Sequence, residues 1–350
     1  MTDHQSMFGA LRLPRSILFG RGQRRALGSA TSRIGKRALL CTDAWQGAQP
    51  IFKEIVADLE AHGVETRVFD QTIPDLPINS INACVEQVSD FAPEVVIGIG
   101  GGSSMDMAKV VAVLLTHGGD VRTYYGEFAV PGPVIPDALT HAVEAFTTLA
   151  RPSDPLLTEQ HVFVGKNVLS DHFAKLAVAN IFRFLERAYS DGSDIEAREG
   201  IMLAALAAGC AFGTAGTAAA HALQYPVGNL THTAHGDGVA TLLPFVMQYN
   251  RPSCVGAFAE LARAVGLAEG TPDDMSQAFI DAVADLLAKV NIPLSLAALG
   301  LKAEQQDFVA ENALNAARLV KNNPRFLDLS AMQSITRAAF SGDRSALRAL

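Results

Sequence analysis

The sequence predicts a two-domain protein, with an α/β domain over residues 1–136 and an all-helical domain over residues 137–350. Residues 16–125 alternate short β-branched runs with helical patterns, which is typical of a parallel sheet with crossover helices. From residue 137 onward the strand signal fades and helical periodicity continues. Three prolines in residues 130–136 favour an extended connector between the domains.

In the α/β domain, short apolar runs predict strands and amphipathic runs predict helices. The predicted strands are Ser16–Phe19, Arg37–Cys41, Thr66–Phe69 and Glu94–Ile99. The predicted helices are Pro50–His62, Asn79–Phe91 and Met107–Leu115. Glycines and prolines between these runs provide the turns.

The second domain reads as a succession of helices. Its predicted helices cover residues 137–150, 155–188, 194–212, 214–224, 235–248, 255–265, 272–290, 303–319 and 329–348. Pro226 and Gly228 are expected to interrupt the chain after residue 224. His221 and His235 would therefore lie on separate helical pieces folded back on each other.

Composition excludes several classes of partner. At 350 residues and 49% hydrophobic content the chain can bury a large core. Its net charge of -8 argues against nucleic acid or an anionic membrane, so a small molecule is the expected partner. Residues 201–223 are apolar enough to span a bilayer, but they contain His221 and many small residues, so we expect buried helices instead.

Cysteine usage and the N-terminus indicate a cytoplasmic protein. The cysteines are far apart and show no C-x-x-C spacing, which favours reduced thiols over a disulfide framework or a zinc knuckle. They are Cys41, Cys84, Cys210 and Cys254. No basic segment followed by an apolar one, as in a signal peptide, is visible at the N-terminus.

A candidate metal site combines residues from two distant stretches. Asp137 and His141 are four residues apart, so on a helix they would face one point. His221 and His235 can complete that set. One carboxylate and three imidazoles suit a divalent first-row metal such as Fe(II) or Zn(II). An Asp–His pair at this spacing is also common on a solvated helix face, and that reading stays open for the pair alone.

The surroundings of the later histidines favour the metal. No Asp, Glu, Lys or Arg occurs from residue 201 to residue 236, yet His221, His232 and His235 all fall in that span. Buried imidazoles need polar partners, and one metal ion can satisfy several of them.

A glycine run follows the last predicted strand. Val95–Ile99 leads into Gly-Gly-Gly-Ser-Ser-Met-Asp-Met-Ala-Lys and then a helix. Glycines allow close backbone approach, and the free amides at a helix start attract phosphate. The candidate phosphate-binding residues are Gly100, Gly101, Gly102 and Ser103. A tight strand-to-helix turn also favours glycine, so the run alone does not decide between the two readings.

Taken together, these motifs resemble the iron-containing (group III) alcohol dehydrogenase family. They are Gly-Gly-Gly-Ser-x-x-Asp-x-Ala-Lys, Asp-Ala-Leu-Thr-His-Ala-Val-Glu-Ala-Phe, His-Ala-x-x-Tyr-Pro-x-Gly and Ala-His-Gly. The resemblance covers nearly the whole chain. It implies a dehydroquinate-synthase-like fold, with an N-terminal dinucleotide-binding domain, a C-terminal helical metal-binding domain and catalysis in the cleft between them.

The resemblance also implies roles for individual residues. The family's metal ligands fall on Asp137, His141, His221 and His235, and its pyrophosphate loop falls on residues 100–103. Asp106 matches the motif's acidic position, in the first turn of the following helix. Asp43, at the end of a strand, falls where the family commonly places an acid against the adenosine ribose. Such an acid repels a 2′-phosphate, so NAD is expected rather than NADP. Asp43 alternatively is a turn residue.

The chain departs from the family at two places. Tyr225 stands four residues after His221, where several members carry another histidine, and His232 is the residue expected to substitute as a proton carrier. Tyr225 and His232 are thus the catalytic candidates. Pro136 also abuts Asp137 directly, whereas the family has a Pro-Thr-Thr-x-Gly-Thr-Gly-Ser-Glu segment and a β-hairpin before this helix. Several tens of residues are missing by this comparison, including contacts to the nicotinamide, and the loss would expose an edge strand at Glu94–Ile99.

The expected function is metal-assisted hydride transfer between NAD and a small alcohol, aldehyde or hydroxy acid, with Fe(II) or Zn(II) polarising the substrate oxygen. A shortened, catalytically silent relative that keeps metal and nucleotide binding is an alternative. A metal-dependent lyase of the dehydroquinate synthase type is another, although the histidine spacing and the Asp-x-x-x-His helix argue against it. The family resemblance implies a homo-oligomer.

Overall fold

The computed structural model describes residues 17–20, 22–74, 76–124, 138–148, 165–267 and 269–348, with backbone alone at residues 123, 124 and 138–142. The described chain forms two compact units, one within residues 14–135 and one within residues 136–350. Each unit has its own apolar core.

The first unit contains a parallel sheet of three strands in the order β2-β1-β3. The strands are β1 (Arg37–Cys41), β2 (Glu65–Phe69) and β3 (Val95–Gly98). Leu40 of β1 lies opposite Val68 on one side and Ile97 on the other. The central position of β1 explains its nearly continuous apolar sequence, and β3 is an edge strand in the described part of the sheet.

Helices cover both faces of this sheet. They are α1 (Leu27–Thr31), α2 (Ala44–Gly47), α3 (Pro50–Ala61), α4 (Ile78–Val88) and α5 (Gly102–His117), with 3₁₀ turns at Gln23–Ala26 and Val121–Tyr124. Alternate residues of β1 point to opposite faces. Leu40 packs with Phe52 and Leu59 on the α3 face. Leu39 packs with residues of α4 and α5 on the other face.

The second unit is helical throughout its described part. Its helices are α6 (Ala138–Thr147), α7 (Val168–Ser190), α8 (Ile195–Ala215), α9 (Ala219–Thr231), α10 (His235–Ala264), α11 (Pro272–Lys289), α12 (Gln306–Ala313), α13 (Ala317–Asn322), α14 (Leu329–Ser341) and α15 (Ser345–Arg348), with a 3₁₀ turn at Ala303–Gln305. Helix α10 contributes to both large apolar clusters of this unit. Leu243 and Met247 pack with α6, α7, α8 and α11, whereas Leu242 and Val246 pack with α9, α12 and α14.

The predicted interruption of the helix at Pro226 and Gly228 is wrong, because α9 continues to Thr231. Likewise, residues 235–248 and 255–265 belong to one helix that passes through Pro244 and Pro252. A helical proline costs about 3 kcal/mol through a lost hydrogen bond and a steric clash. Burial of α9 and of most of α10 outweighs that local cost.

Three other predicted elements differ from the structure. Ser16–Phe19 is not a strand in its described part, since Ile17–Phe19 has no strand partner there and its side chains are exposed. Residues 303–319 form three short pieces instead of one helix. Residues 329–348 divide at Gly342, whose φ of 78° ends α14. That left-handed conformation suits glycine.

The apolar run of residues 201–223 is divided between α8 and α9, whose axes differ by 104°. Among the described residues, no single helix is long and apolar enough to cross a membrane, and only this bent pair reaches the required length and hydropathy together. Most side chains of α9 are buried in the unit.

Candidate metal centre and nucleotide site

Two of the predicted metal ligands lie side by side in the helical unit. His221 is the third residue of α9 and His235 is the first residue of α10. Their ring centroids are 5.5 Å apart and their planes are inclined by 55°. His221 is 4% exposed, while His235 is exposed. The turn that joins α9 to α10 therefore brings a buried imidazole and an accessible one together.

The other two predicted ligands are only partly described. Asp137 lies outside the described residues, and His141 lies in α6 with its backbone alone described. Among the side chains that the structure describes, no three from His, Cys, Asp and Glu are grouped as a metal site. The four-ligand set therefore stays a prediction, of which the structure shows one pair.

A buried carboxylate anchors His221. Glu144 of α6 is 3% exposed, and its Oε2 lies 2.5 Å from His221 Nδ1. The same carboxylate accepts hydrogen bonds from the backbone N–H groups of Ala218, at 2.9 Å, and Ala220, at 2.8 Å. These amides stand at the N-terminus of α9, where helix N–H groups have no partner within the helix. Glu144 therefore connects α6 by hydrogen bonds both to the start of α9 and to His221.

Sequence analysis assigned no role to Glu144. A signal was present, since Glu144 follows His141 by three residues in a helix and is flanked by the apolar Val143 and Ala145. Positions three apart share a helix face. An acid on the ligand face of an apolar helix is a candidate partner for a ligand, but only the fold shows which histidine it meets.

Helices α9 and α10 pack closely behind the histidines. Gln224 is 2% exposed and fills the space beside Gly238 of α10, where a Cβ atom would lie 1.8 Å from the Gln224 Oε1 atom. A Cβ at Gly228 would lie 2.9 Å from the Gln224 Nε2 atom. Two glycines thus leave room for one buried amide, whose Oε1 has no hydrogen-bond partner among the described residues.

The two catalytic candidates lie in different surroundings. Tyr225 is four residues after His221 on α9, and its ring centroid is 6.4 Å from that of His235. The Tyr225 side chain is 52% exposed, yet partial burial raises the pKa of its phenol and the charge of Arg318 opposes that rise. His232 is exposed and caps α9 in a left-handed conformation with φ 54°. Only Tyr225 is shown beside a predicted ligand.

The glycine run forms an open turn at the end of β3. Gly100 has a φ of 139°, which side-chain-bearing residues rarely adopt. A Cβ at Gly98 would lie 2.8 Å from the Met105 Cα atom, so this glycine lets α5 pack against the strand. At Gly101 and Gly102, in contrast, a Cβ would meet nothing within 4 Å. These two exposed glycines begin α5, and Ser103 follows them half-buried.

This turn has the properties of a phosphate site. Gly101 caps α5 without a side-chain hydrogen bond, so the first helical N–H groups receive no side-chain cap from it. Helix N-termini combine such amides with a positive end of the helix dipole. The open space over Gly101 and Gly102 fits the approach of a pyrophosphate to the backbone.

Asp43 stands beside the same turn. It follows β1, and Thr42 Oγ1 donates to the Ile99 carbonyl at 2.7 Å, which holds the ends of β1 and β3 together. Asp43 Oδ1 accepts from the Gln46 N–H at 2.9 Å and so caps α2. Its Oδ2 lies 3.4 Å from the position of a Cβ at Gly100. Asp43 therefore caps α2 and is also an acid beside the glycine turn. The exposed Trp45 lies two residues after it.

Asp106 lies in the second turn of α5, not in the first, because the helix begins at Gly102. The sequence-based placement is wrong because it assumed a later start for that helix. Lys109 Nζ donates to Asp106 Oδ1 at 3.1 Å. Burial raises the pKa of Asp106, and Lys109 lowers it by a smaller amount. Its carboxylate is thus paired with Lys109 on the same helix, and its role toward a cofactor stays a prediction.

Comparisons with known proteins agree with these features. The sequence profile described as "Iron-containing alcohol dehydrogenase" matches residues 14–150. The profile described as "Fe-containing alcohol dehydrogenase family, C-terminal" matches residues 135–340. The two matches together cover both units.

Individual relatives show the same similarity. Long-chain-alcohol dehydrogenase 1 of Geobacillus thermodenitrificans is 29% identical over 360 residues, which covers 89% of this chain and 91% of the relative. The NAD-dependent methanol dehydrogenase of Bacillus methanolicus is 25% identical, covering 93% of this chain and 98% of the relative. A solved structure of a 1,3-propanediol oxidoreductase has a TM-score of 0.84 and 25% identity, covering 95% of this chain and 99% of that one.

Proposed function

This chain belongs to the iron-containing alcohol dehydrogenase family, and we propose that it transfers a hydride between NAD and a small alcohol or aldehyde at a divalent metal ion. Family members are alcohol oxidoreductases, which supports the general class of reaction. The observation that carries the proposal is the adjacent pair His221 and His235, with a buried carboxylate on His221 Nδ1. Metal-ligating histidines commonly donate their second ring N–H to a carboxylate.

The metal would be held by Asp137, His141, His221 and His235. Imidazole and carboxylate ligands fit iron(II), which the family name specifies, and also zinc(II). A metal ion bound there would supply Lewis acidity toward the substrate oxygen. The described imidazoles support this role, since the rings of His221 and His235 lie 5.5 Å apart between centroids.

The nucleotide would bind in the α/β unit. The backbone N–H groups of Gly101, Gly102 and Ser103 would donate hydrogen bonds to the pyrophosphate, and Gly100 would allow the turn. Asp43 would accept a hydrogen bond from the adenosine ribose and would repel a 2′-phosphate, which supports NAD over NADP. A relative described as an NAD-dependent methanol dehydrogenase is consistent with that choice.

In the proposed reaction, Tyr225 is the residue that donates a proton toward the substrate oxygen. Its pKa is raised above the ordinary value of about 10, so the phenol stays protonated at neutral pH. The Tyr225 hydroxyl can therefore donate a hydrogen bond from Oη to a substrate oxygen. His232, exposed at the end of α9, would exchange that proton with solvent.

The test measures metal content and NADH formation on the same preparations. Protein reloaded with iron(II) or zinc(II) should form NADH from NAD and primary alcohols, whereas His235→Ala should lose both metal and activity. Metal content that is unchanged after dialysis in both His221→Ala and His235→Ala would overturn the ligand assignment. Metal and nucleotide binding without any NADH would favour the silent relative instead, a possibility motivated by the direct Pro136–Asp137 join.

A further inference from the structure

We propose that Glu144 is a positioning residue, which holds His221 in the tautomer that presents Nε2 to the metal. The proposal rests on the proposed metal site for its purpose. Its structural basis, the contact between the Glu144 and His221 side chains, does not depend on the metal. The proposed function takes this contact as a mark of a metal ligand and assigns no role to Glu144 itself.

The surroundings of Glu144 make its hydrogen bonds necessary. Its neighbours Val143, Ala145 and Phe146 belong to a large apolar cluster, and the residue itself is 3% exposed. A buried carboxylate is strongly disfavoured unless its oxygens accept hydrogen bonds. Oε1 accepts from Ala220 N, and Oε2 accepts from Ala218 N and His221 Nδ1. Both oxygens are therefore occupied by donors.

An ionised carboxylate can only accept hydrogen bonds, so the 2.5 Å contact requires a proton on His221 Nδ1. A neutral imidazole with the proton on Nδ1 has its lone pair on Nε2, at the other side of the ring. The imidazole of His235 lies 5.5 Å away between centroids. Glu144 thus selects Nε2 as the ring nitrogen of His221 that carries the lone pair.

Replacement of Glu144 by glutamine keeps the size of the side chain and removes one acceptor, with a result that depends on the orientation of the amide. If the amide nitrogen takes the Oε1 position, it meets the Ala220 N–H, donor against donor. If it takes the Oε2 position, it meets the Ala218 N–H and forces His221 Nδ1 to accept. Only in this second orientation does the proton of His221 move to Nε2, which then cannot bind a metal ion. Leucine has no acceptor at either position, so Glu144→Leu removes the ambiguity.

The experiment combines nitrogen-15 NMR of the histidine rings with zinc(II) titration by calorimetry, on full-length protein freed of metal by chelation. At a pH where the imidazole is neutral, wild-type His221, assigned by comparison with His221→Ala, should carry its proton on Nδ1. Glu144→Leu should lose that signature and bind zinc(II) about 10- to 100-fold more weakly, whereas Glu144→Gln should do so only where its amide nitrogen faces His221.

A matched control is Asn322→Ala. The Asn322 Nδ2 atom donates to the Ala215 and Thr217 carbonyls, so it supports the same linker before α9 without touching the histidine. This variant should lose thermal stability yet keep the Nδ1 signature and wild-type zinc affinity. An equal loss of zinc affinity in Asn322→Ala would overturn the positioning role, since any loosening of the linker would then suffice.

The other outcomes are equally decisive. A wild-type His221 with its proton on Nε2 overturns the proposal without any variant, so a Glu144 variant that fails to fold does not leave it untested. Glu144→Leu with wild-type signature and affinity also overturns it, because leucine offers His221 no acceptor. A wild-type protein with the Nδ1 signature but no zinc binding would support Glu144 as the positioning residue and would refute the proposed metal site instead.

Discussion

The substitution Gly238→Ala tests how closely α9 and α10, the helices that carry the two histidines, pack against each other. Its Cβ would lie 1.8 Å from Gln224 Oε1, whereas real Cβ atoms essentially never approach within 3.0 Å. Gln224 is 2% exposed, so its amide has little room to move. Overpacking of this kind costs about 1–3 kcal/mol.

Gly256 offers the matched substitution on the same helix. It is exposed in α10, and a Cβ there would meet nothing within 4 Å. Both replacements by alanine gain the helix propensity of about 0.5–1 kcal/mol that glycine lacks. That gain cancels in the comparison, so Gly238→Ala should be less stable than Gly256→Ala by the overpacking cost alone.

Thermal unfolding followed by far-ultraviolet circular dichroism is a suitable assay. For a unit of this size each 1 kcal/mol shifts the midpoint by roughly 2–4 °C. Gly256→Ala should melt slightly above the wild type and Gly238→Ala below Gly256→Ala. In a Gln224→Ala background the Gly238→Ala substitution should no longer destabilise. A Gly238→Ala protein as stable as Gly256→Ala would refute the close approach of the two helices.

Three further predictions concern the α/β unit and its end. Asp43→Gly should relax the preference for NAD by about 1–3 kcal/mol, and a wild type that binds NADP as tightly as NAD would contradict this. If the family segment is missing as predicted, grafting it from a relative between Pro136 and Asp137 should raise turnover sharply with metal content nearly unchanged. Wild-type turnover already near a typical value of about 10 per second would show the segment to be dispensable. Because burial raises the folded-state pKa of Asp106, its carboxyl favours the fold while protonated and this contribution is lost as pH rises through that pKa. Asp106→Asn should therefore melt above the wild type at neutral pH and match it in strong acid, and a lower midpoint at neutral pH would mean that the Lys109 ion pair outweighs burial.

The sequence predicted the sheet well because its strands are short, apolar and bounded by glycine or proline. Arg37–Cys41 was found as predicted, β2 begins one residue earlier than predicted, and β3 is one residue shorter at each end. The helix ends were less predictable where proline was used as a stop signal. Pro226 and Pro244 lie inside helices, because tertiary burial outweighs local propensity and no local rule measures burial.

The residues of the candidate site likewise include some that the sequence predicted and some that only the fold reveals. Motifs indicated His221 and His235, and the structure places their rings together. Glu144 and Gln224 needed the fold, since their partners lie in other helices: α9 for the carboxylate and α10 for the amide. A buried polar side chain is recognised by what it touches, and that information is absent from a single local pattern.

Trp45 gives the protein a built-in optical reporter. It is the only tryptophan of the chain, it is 71% exposed, and it lies two residues after Asp43 at the end of β1. All tryptophan emission therefore comes from the α/β unit. Energy transfer from Trp45 to bound NADH would follow occupancy of the glycine turn without any label, while a zinc titration of the helical unit has no indole of its own to perturb. Binding of NADH and binding of metal can thus be distinguished in the intact chain.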